Sequence, residues 1–151
     1  MDLAAALPIL LPKAIAWAQA QAAEAEAAGT PLQGQALENA RHVGVVVPES
    51  IRVKLVDALP LPEDPALRDA ALQTGLLGPG MIGLTLGYAI FISRKNFSLR
   101  LFSHESRHVH QYESHGGIAG FLPIYLAEIV RVGYAGSTYE ADARSHEVGP
   151  A

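Results

Sequence analysis

The sequence predicts an α+β domain that is mostly helical and has a small sheet. Two observations support this prediction. Apolar residues recur at helical spacing near both ends of the chain, whereas only two short segments between them have a strand pattern. The chain has 151 residues, the size of one ordinary domain. We therefore expect a single domain over residues 1–151 that begins with an alanine-rich helix at residues 1–30.

Composition narrows the classes of function. Half of the residues are hydrophobic and 17% are charged, which favours a packed interior over disorder. The formal net charge of −4, without any basic run, argues against a nucleic-acid-binding protein. Because the chain has no cysteine, disulfides, thiolate catalysis and cysteine-ligated metals are excluded. Histidine is left as the soft metal ligand, and four of the six histidines fall within twelve residues: His104, His108, His110 and His115.

The first segment is predicted to be a surface helix with one buried stripe. The stripe consists of Leu3, Leu7, Leu10, Ala14 and Trp17. Asp2 stands where a secretory signal would carry positive charge. Pro8, Pro12 and Lys13 interrupt the apolar run, so we expect no transmembrane segment. The protein is accordingly predicted to be cytoplasmic, with this helix available for contact with a partner.

Capping and alternation predict the next two elements. Thr30, Pro31 and Gln33 form a helix-start signature, and this helix should end near Gly44. Apolar and basic residues alternate over Ile51–Asp57, which is typical of a half-exposed strand.

The middle of the chain is predicted to contain a short helix and a buried strand. Asp64 followed by Pro65 starts the helix, and a glycine-rich connection follows at residues 75–83. Leu84–Ser93 is almost continuously apolar and rich in residues that favour strands, so we expect one buried strand there.

Three further helices are predicted after residue 97. Ser98 suits the N-cap of a helix over Leu99–His115, and a second helix runs over Ile118–Val132. Ser137 opens a third helix that ends near Glu147.

The first of these three helices contains a motif that is typical of a metal site. His104-Glu105-Ser106-Arg107-His108 is an HExxH sequence. Residues i and i+4 of a helix share one face, so both imidazoles can bind one Zn²⁺. Glu105 lies beside the first ligand, where it can hold and deprotonate a metal-bound water. A solvated helix face with the same residues is the alternative that needs no metal.

A catalytic zinc needs three protein ligands and an open position for water. Glu140 is the candidate for the third ligand, and Ala143 would let its helix pack closely against the HExxH helix. The alternative is that Glu140 only caps its helix, since Ser137-x-x-Glu140 is also a capping box. A competing register would place the ligand at Thr138, which cannot serve.

HExxH with a downstream helical glutamate resembles the gluzincin branch of zinc metallopeptidases. The string from His104 to Tyr112, HESRHVHQY, is similar to the HExxHVxQ core of small bacterial zincin-like domains. The resemblance covers residues 84–147, the predicted metal-site core, and says little about residues 1–83. It implies a minimal zincin-like domain whose edge strand flanks the HExxH helix.

The resemblance also implies a role for each residue of the motif. His104, His108 and Glu140 would bind Zn²⁺, and Glu105 would be the general base and later the proton donor to the leaving amine. Zinc would polarise the scissile carbonyl and lower the pKa of its water. The strand at Leu84–Ile92 would hold a peptide or protein substrate by strand addition. The implied activity is zinc-dependent hydrolysis of peptide bonds.

The sequence departs from this family in two respects. In many gluzincins an aspartate four residues after the ligand glutamate supports a zinc-bound histidine, but Arg144 occupies that position here. Asp142 either replaces it or faces solvent. No residue is clearly the oxyanion stabiliser, and the candidates are Tyr134, Tyr139 and His146.

The metzincin pattern is excluded, because its third histidine would fall at Ser114 and its glycine at Gln111. His115 misses that register, and we interpret it as a polar residue at the helix C-terminus. His110 points to the opposite side and is predicted to be a surface residue. Tyr112, one turn after the second histidine of the motif, is favoured over Gln111 as a neighbour of the site.

Three functions are consistent with these residues. The first is the zinc peptidase. The second is a catalytically silent zincin-fold module that binds zinc or a peptide strand without cleaving it, which the two departures favour. The third is a metal-free interaction domain that makes contact through the alanine-rich first helix. If a metal is bound, two histidines and one glutamate suit Zn²⁺ best.

Overall fold

A computed structural model describes residues 1–150. Within them, six α-helices surround a four-stranded mixed sheet, so the predicted α+β class is confirmed. The helices are α1 (Leu3–Ala28), α2 (Gln35–His42), α3 (Pro65–Thr74), α4 (Leu99–Ser114), α5 (Gly117–Val132) and α6 (Thr138–Ser145). The strands are β1 (Thr30–Pro31), β2 (Arg52–Val56), β3 (Gly83–Leu86) and β4 (Ala89–Ser93).

The sheet separates two apolar clusters. Its strand order is β1-β2-β4-β3, with β2 parallel to β4 and the other two pairs antiparallel. Successive side chains of β4 point to opposite faces. Phe91 packs with α1 and α5, whereas Ile90 and Ile92 pack with α2 and α4. The strand order places β3 at one edge of the sheet, where it lies beside α4, the helix that carries the HExxH motif.

The first helix is continuous through Pro8 and Pro12, although each proline removes one backbone hydrogen bond. It packs along α5 and the sheet. Its buried residues are Leu10, Ala14, Ala18, Ala22 and Ala25. A helix is present here as predicted, and this packing holds it together through both prolines. By length and composition α1 could cross a membrane, since an 18-residue window has a mean hydropathy of 1.4.

The helix start predicted at Thr30 is wrong. Thr30 and Pro31 form β1, which pairs with β2, and the helix begins only at Gln35, after Gly34. The capping signature was overridden by a pairing with residues more than twenty positions away in the sequence, opposite Val53.

The single strand predicted over Leu84–Ser93 is a hairpin. Its two strands pair antiparallel around Gly87, whose φ of 64° lies in the left-handed region that glycine adopts without steric cost. Leu86 and Ala89 on either side of the turn are both buried. The apolar run therefore continued across the turn and concealed it.

The remaining elements agree with the predictions. The strand expected over residues 51–57 is β2. Asp64 caps α3 by accepting a hydrogen bond from the Leu67 N–H, and Ser98 caps α4 by accepting one from the Leu101 N–H. Ser137 precedes α6 as expected.

Candidate metal centre

Three side chains from α4 and α6 converge on one point. His104 and His108 lie one turn apart, with ring centroids separated by 5.0 Å. Glu140 reaches them from the first turn of α6: its Oε1 is 3.3 Å from His104 Nε2 and its Oε2 is 3.0 Å from His108 Nε2. Ala143, which is fully buried, lets the two helices approach. One ligand atom from each of the three residues lies within 4.8 Å of the others, so the group could hold a metal ion.

The distances and the chemistry of this group fit a metal ion. In tetrahedral zinc sites, ligand bonds of about 2.0–2.1 Å place neighbouring ligand atoms roughly 3.4 Å apart. The two nitrogen–oxygen distances are close to that value. Glu140 is only 2% exposed, and a buried carboxylate requires a compensating positive charge. In the metal-free protein the Nε2 atoms of both histidines face this carboxylate, around the place where a cation would lie.

Glu147 holds His104 from the outer side. The Nδ1 atom of His104 donates to Glu147 Oε2 at 2.8 Å, and Arg100 Nε donates to Glu147 Oε1 at 2.7 Å. A carboxylate on the outer nitrogen fixes the tautomer that presents Nε2 to a metal. The family pattern places this support at the position of Arg144, whereas Glu147 provides it here. Glu147 lies two residues beyond the end of α6, so helical spacing does not identify it.

Gln111 supports His108 in a similar way. His108 Nδ1 donates to Gln111 Oε1 at 2.7 Å. The amide nitrogen of Gln111 donates to Asp142 Oδ2 and to a backbone carbonyl of α6, both at 2.9 Å. Arg107 in turn donates to both carboxylate oxygens of Asp142. Asp142 therefore supports the site through Gln111. Contrary to the prediction, Gln111 rather than Tyr112 contacts the imidazole.

Glu140 does more than cap its helix. The Ser137 hydroxyl accepts a hydrogen bond from the Glu140 N–H at 3.2 Å, which is half of a capping box. The Glu140 carboxylate turns instead toward the histidines and accepts from the Tyr125 hydroxyl at 2.7 Å. The start of α6 is completed by the Glu128 carboxylate, which accepts from the Ser137 hydroxyl and the Thr138 N–H.

Glu105 lies beside the metal group and is 5% exposed. The Thr85 hydroxyl donates to Glu105 Oε1 at 2.9 Å. Burial raises the pKa of Glu105, and the charges of His108 and His104 only partly oppose this. A carboxylate with a raised pKa that lines a cleft has the properties of a general base.

Glu140 and His108 favour each other's charged form in the metal-free protein. Burial favours the neutral form of Glu140, but hydrogen bonds from His104 and His108 outweigh it and hold the pKa of Glu140 well below its usual range. Burial likewise favours neutral His108, but the hydrogen bond and charge of Glu140 raise the pKa of His108 to about 9. A metal ion would have to displace the proton of this imidazolium.

A cavity of about 150 Å³ opens in front of the metal group and Glu105. Among the three predicted oxyanion stabilisers, Tyr134 alone lines this cavity. Tyr139 packs against Phe121, and His146 donates to a backbone carbonyl of its own helix. Tyr134 is thus the candidate that can reach a bound substrate.

The other two histidines of the cluster lie away from the metal group. His110 Nδ1 donates to the carbonyl of Gly44 at 2.8 Å, so His110 is half-buried against the loop after α2 and is not the surface residue that was predicted. His115 ends α4 as predicted, and its Nδ1 donates to the Gln111 carbonyl at 2.8 Å.

Comparison of the chain with models of known protein families, with curated proteins and with solved structures found no match. The interpretation of the site therefore rests on the residues and distances described above. They define a buried group of two imidazoles and one carboxylate, with a second carboxylate beside it at the cavity.

Proposed function

We propose that this protein is a zinc-dependent metallopeptidase of the gluzincin type, in which His104, His108 and Glu140 bind Zn²⁺ and Glu105 is the general base. The observation that carries the proposal is the convergence of both Nε2 atoms on one carboxylate, next to a second buried carboxylate at a cavity. Two imidazoles and a carboxylate form a donor set of zinc hydrolases and leave a position for water. The edge position of β3 beside α4 supports a zincin-like arrangement.

The residues around the group have complementary tasks. A zinc ion bound there would polarise the scissile carbonyl and lower the pKa of its water toward neutrality. Glu105 accepts a proton from the attacking water and delivers it to the leaving amine. Thr85 holds one oxygen of Glu105 and so orients the other. Tyr134 lies on the cavity wall, where its hydroxyl can donate to the developing oxyanion.

Two residues favour an enzyme over the catalytically silent module. Glu147 gives His104 the carboxylate support that Arg144 does not provide. Tyr134 adds a hydrogen-bond donor at the cavity, so neither of the two departures from the family leaves the site without a replacement.

Metal content and peptide cleavage, measured on the same variants, test the proposal. The wild type is expected to bind about one zinc ion per chain and to cleave members of a peptide library. Glu105→Gln should keep its zinc and lose cleavage by about 10²–10⁴-fold. Glu140→Ala should lose zinc. Glu26→Gln, a change at an exposed carboxylate of α1, is the matched control and should alter neither quantity.

Three outcomes would count against the proposal. Wild-type protein that binds no zinc when zinc is added would exclude the assignment of a metal site. A Glu105→Gln variant that cleaves at the wild-type rate would exclude Glu105 as the general base. Zinc-loaded wild type without cleavage of any peptide would favour the silent module.

A further inference from the structure

The cavity in front of the metal group is apolar along most of its wall. Leucines from three helices line it, among them Leu7 of α1, Leu67 of α3 and Leu126 of α5. Among the described residues, the ionisable side chains of the ligand group that line the wall are His108 and Glu140, and Glu105 lies beside them. The cavity is therefore polar at one end, where the ligand group lies, and hydrocarbon-like elsewhere.

The apolar wall is longer than one amino-acid side chain. The residues of α1 that line the cavity run from Leu3 to Ala18. This distance is roughly 22 Å, because a helix rises about 1.5 Å per residue. Leu3, Leu7 and Leu11 are half-buried, so this end of the cavity reaches the protein surface.

The far wall offers no partner to a peptide backbone. Away from β3 it is formed mainly by helices, most of whose N–H and C=O groups are bonded within each helix. Two loop residues on this wall, Leu77 and Met81, have N–H groups that donate to the carbonyls of Ala71 and Gly78. The Thr74 hydroxyl, one polar group on this wall, donates to the carbonyls of Ala70 and Ala71 in its own helix. A peptide amide buried there would remain unpaired, which is costly. A hydrocarbon chain carries no such groups.

We propose that the cavity binds an unbranched hydrocarbon chain and that, among the amides that the metal group would hydrolyse, the preferred substrate carries a long-chain acyl group whose carbonyl lies at the metal group. The position of the carbonyl rests on the proposed function, whereas chain binding does not. In the hydrolysis, the amide C–N bond breaks, the hydroxyl of water bonds to the acyl carbon, and the remaining proton of water goes to the amine. The products are a fatty acid and an amine.

Titration of zinc-loaded protein with alkanoyl hydroxamates tests the proposal, because the head group binds a metal and the chain length can be varied. Acetohydroxamate, octanohydroxamate and dodecanohydroxamate should bind with rising affinity. The expected gain is about fourfold for each methylene that enters the cavity. Chain-length independence in the wild type would contradict chain binding.

Two tryptophan variants of α1 test where the alkyl chain of the ligand binds. Leu7→Trp fills the α1 end of the cavity and should remove the gain of dodecanohydroxamate while leaving acetohydroxamate binding unchanged. Ile9→Trp is the matched control, because Ile9 is 69% exposed and does not line the cavity. If Leu7→Trp does not fold, Leu11→Trp replaces it.

A second measurement separates this inference from the proposed function. Laurate and shorter fatty acids are used to displace a fluorescent fatty acid from metal-free protein. Displacement that strengthens with chain length, in a protein that takes up no zinc, would support the cavity assignment and contradict the metallopeptidase. Acetohydroxamate binding without any chain-length effect, together with no displacement, would overturn the inference and leave the metal site intact. Tighter binding of apolar peptides than of dodecanohydroxamate would also overturn it.

Discussion

Gly83 lies directly against the carboxylate of Glu105: a Cβ atom added at position 83 would stand 2.8 Å from Glu105 Oε2. Two residues further along the same strand, Thr85 donates a hydrogen bond to the other oxygen of this carboxylate. Residues i and i+2 of a strand share one face, so β3 holds the proposed general base from two sides. Glycine is required here for a close approach of side chain to backbone and not for a turn.

Gly83→Ala is expected to destabilise the fold by about 1–3 kcal/mol, because the added methyl group overpacks a buried contact. Urea denaturation measures this change. Gly80→Ala is the control, since a Cβ atom there meets nothing within 4 Å, and its effect should stay within about 0.5 kcal/mol. Equal unfolding free energies for the two variants would show that Glu105 does not need the space above Gly83.

Glu147→Ala is expected to weaken zinc binding by about 10–100-fold, the usual effect of removing the outer partner of a ligand histidine. The imidazole of His104 would lose the acceptor that fixes its tautomer. Competition with a chromogenic chelator measures the affinity. Glu26→Ala removes an exposed carboxylate from α1 and should leave the affinity unchanged, and an equal affinity of both variants would exclude the assigned role.

The stability of the metal-free protein is expected to fall as the pH rises through about 9. The pKa of His108 is raised from 6.5 to about 9 in the folded state. Its interaction with Glu140 therefore stabilises the fold fully below pH 6.5, and this contribution is lost on deprotonation. Unfolding free energies measured from pH 6 to pH 10 test this. Glu140→Gln should flatten the profile, and a wild-type profile that is already flat would contradict the ion pair.

Glu128→Gln is expected to cost about 1–3 kcal/mol of stability, because the carboxylate accepts hydrogen bonds from Ser137 and Thr138 at the start of α6. Since α6 carries Glu140, zinc affinity should fall in the same variant. Thermal unfolding and chelator competition measure the two effects. Glu24→Gln, at an exposed position of α1, should show neither. An unchanged stability in Glu128→Gln would contradict the role of this carboxylate at the start of α6, even if zinc binding were weakened.

The ligand group could be predicted because the sequence patterns that indicate it involve residues close together in the sequence. His104 and His108 are one turn apart on a helix whose cap, Ser98, is evident in the sequence. Glu140 was proposed from its place on a separate predicted helix, where Ala143 lies one turn later and allows close packing. Helical spacing alone then places each side chain on a defined face.

Glu147 was missed and the contact of Gln111 was left open, because both depend on how α6 packs against α4. Whether Glu147 or Arg144 reaches His104 is decided by where the chain turns after α6, which no short-range pattern encodes. The same holds for Gln111, whose contact with Asp142 joins two helices. The prediction of a helix start at Thr30 was wrong for the same reason. Thr30 and Pro31 pair with β2, which is distant in the sequence.

The histidines of α4 and the glutamate of α6 are separated in sequence by the whole of α5. A metal ion bound to both sides would therefore close this part of the chain into a ring, as a reversible cross-link does. A protease that cut the connection on either side of α5 would then leave fragments joined through the ion, in addition to the hydrogen bonds that hold α6 to α4 in the metal-free chain.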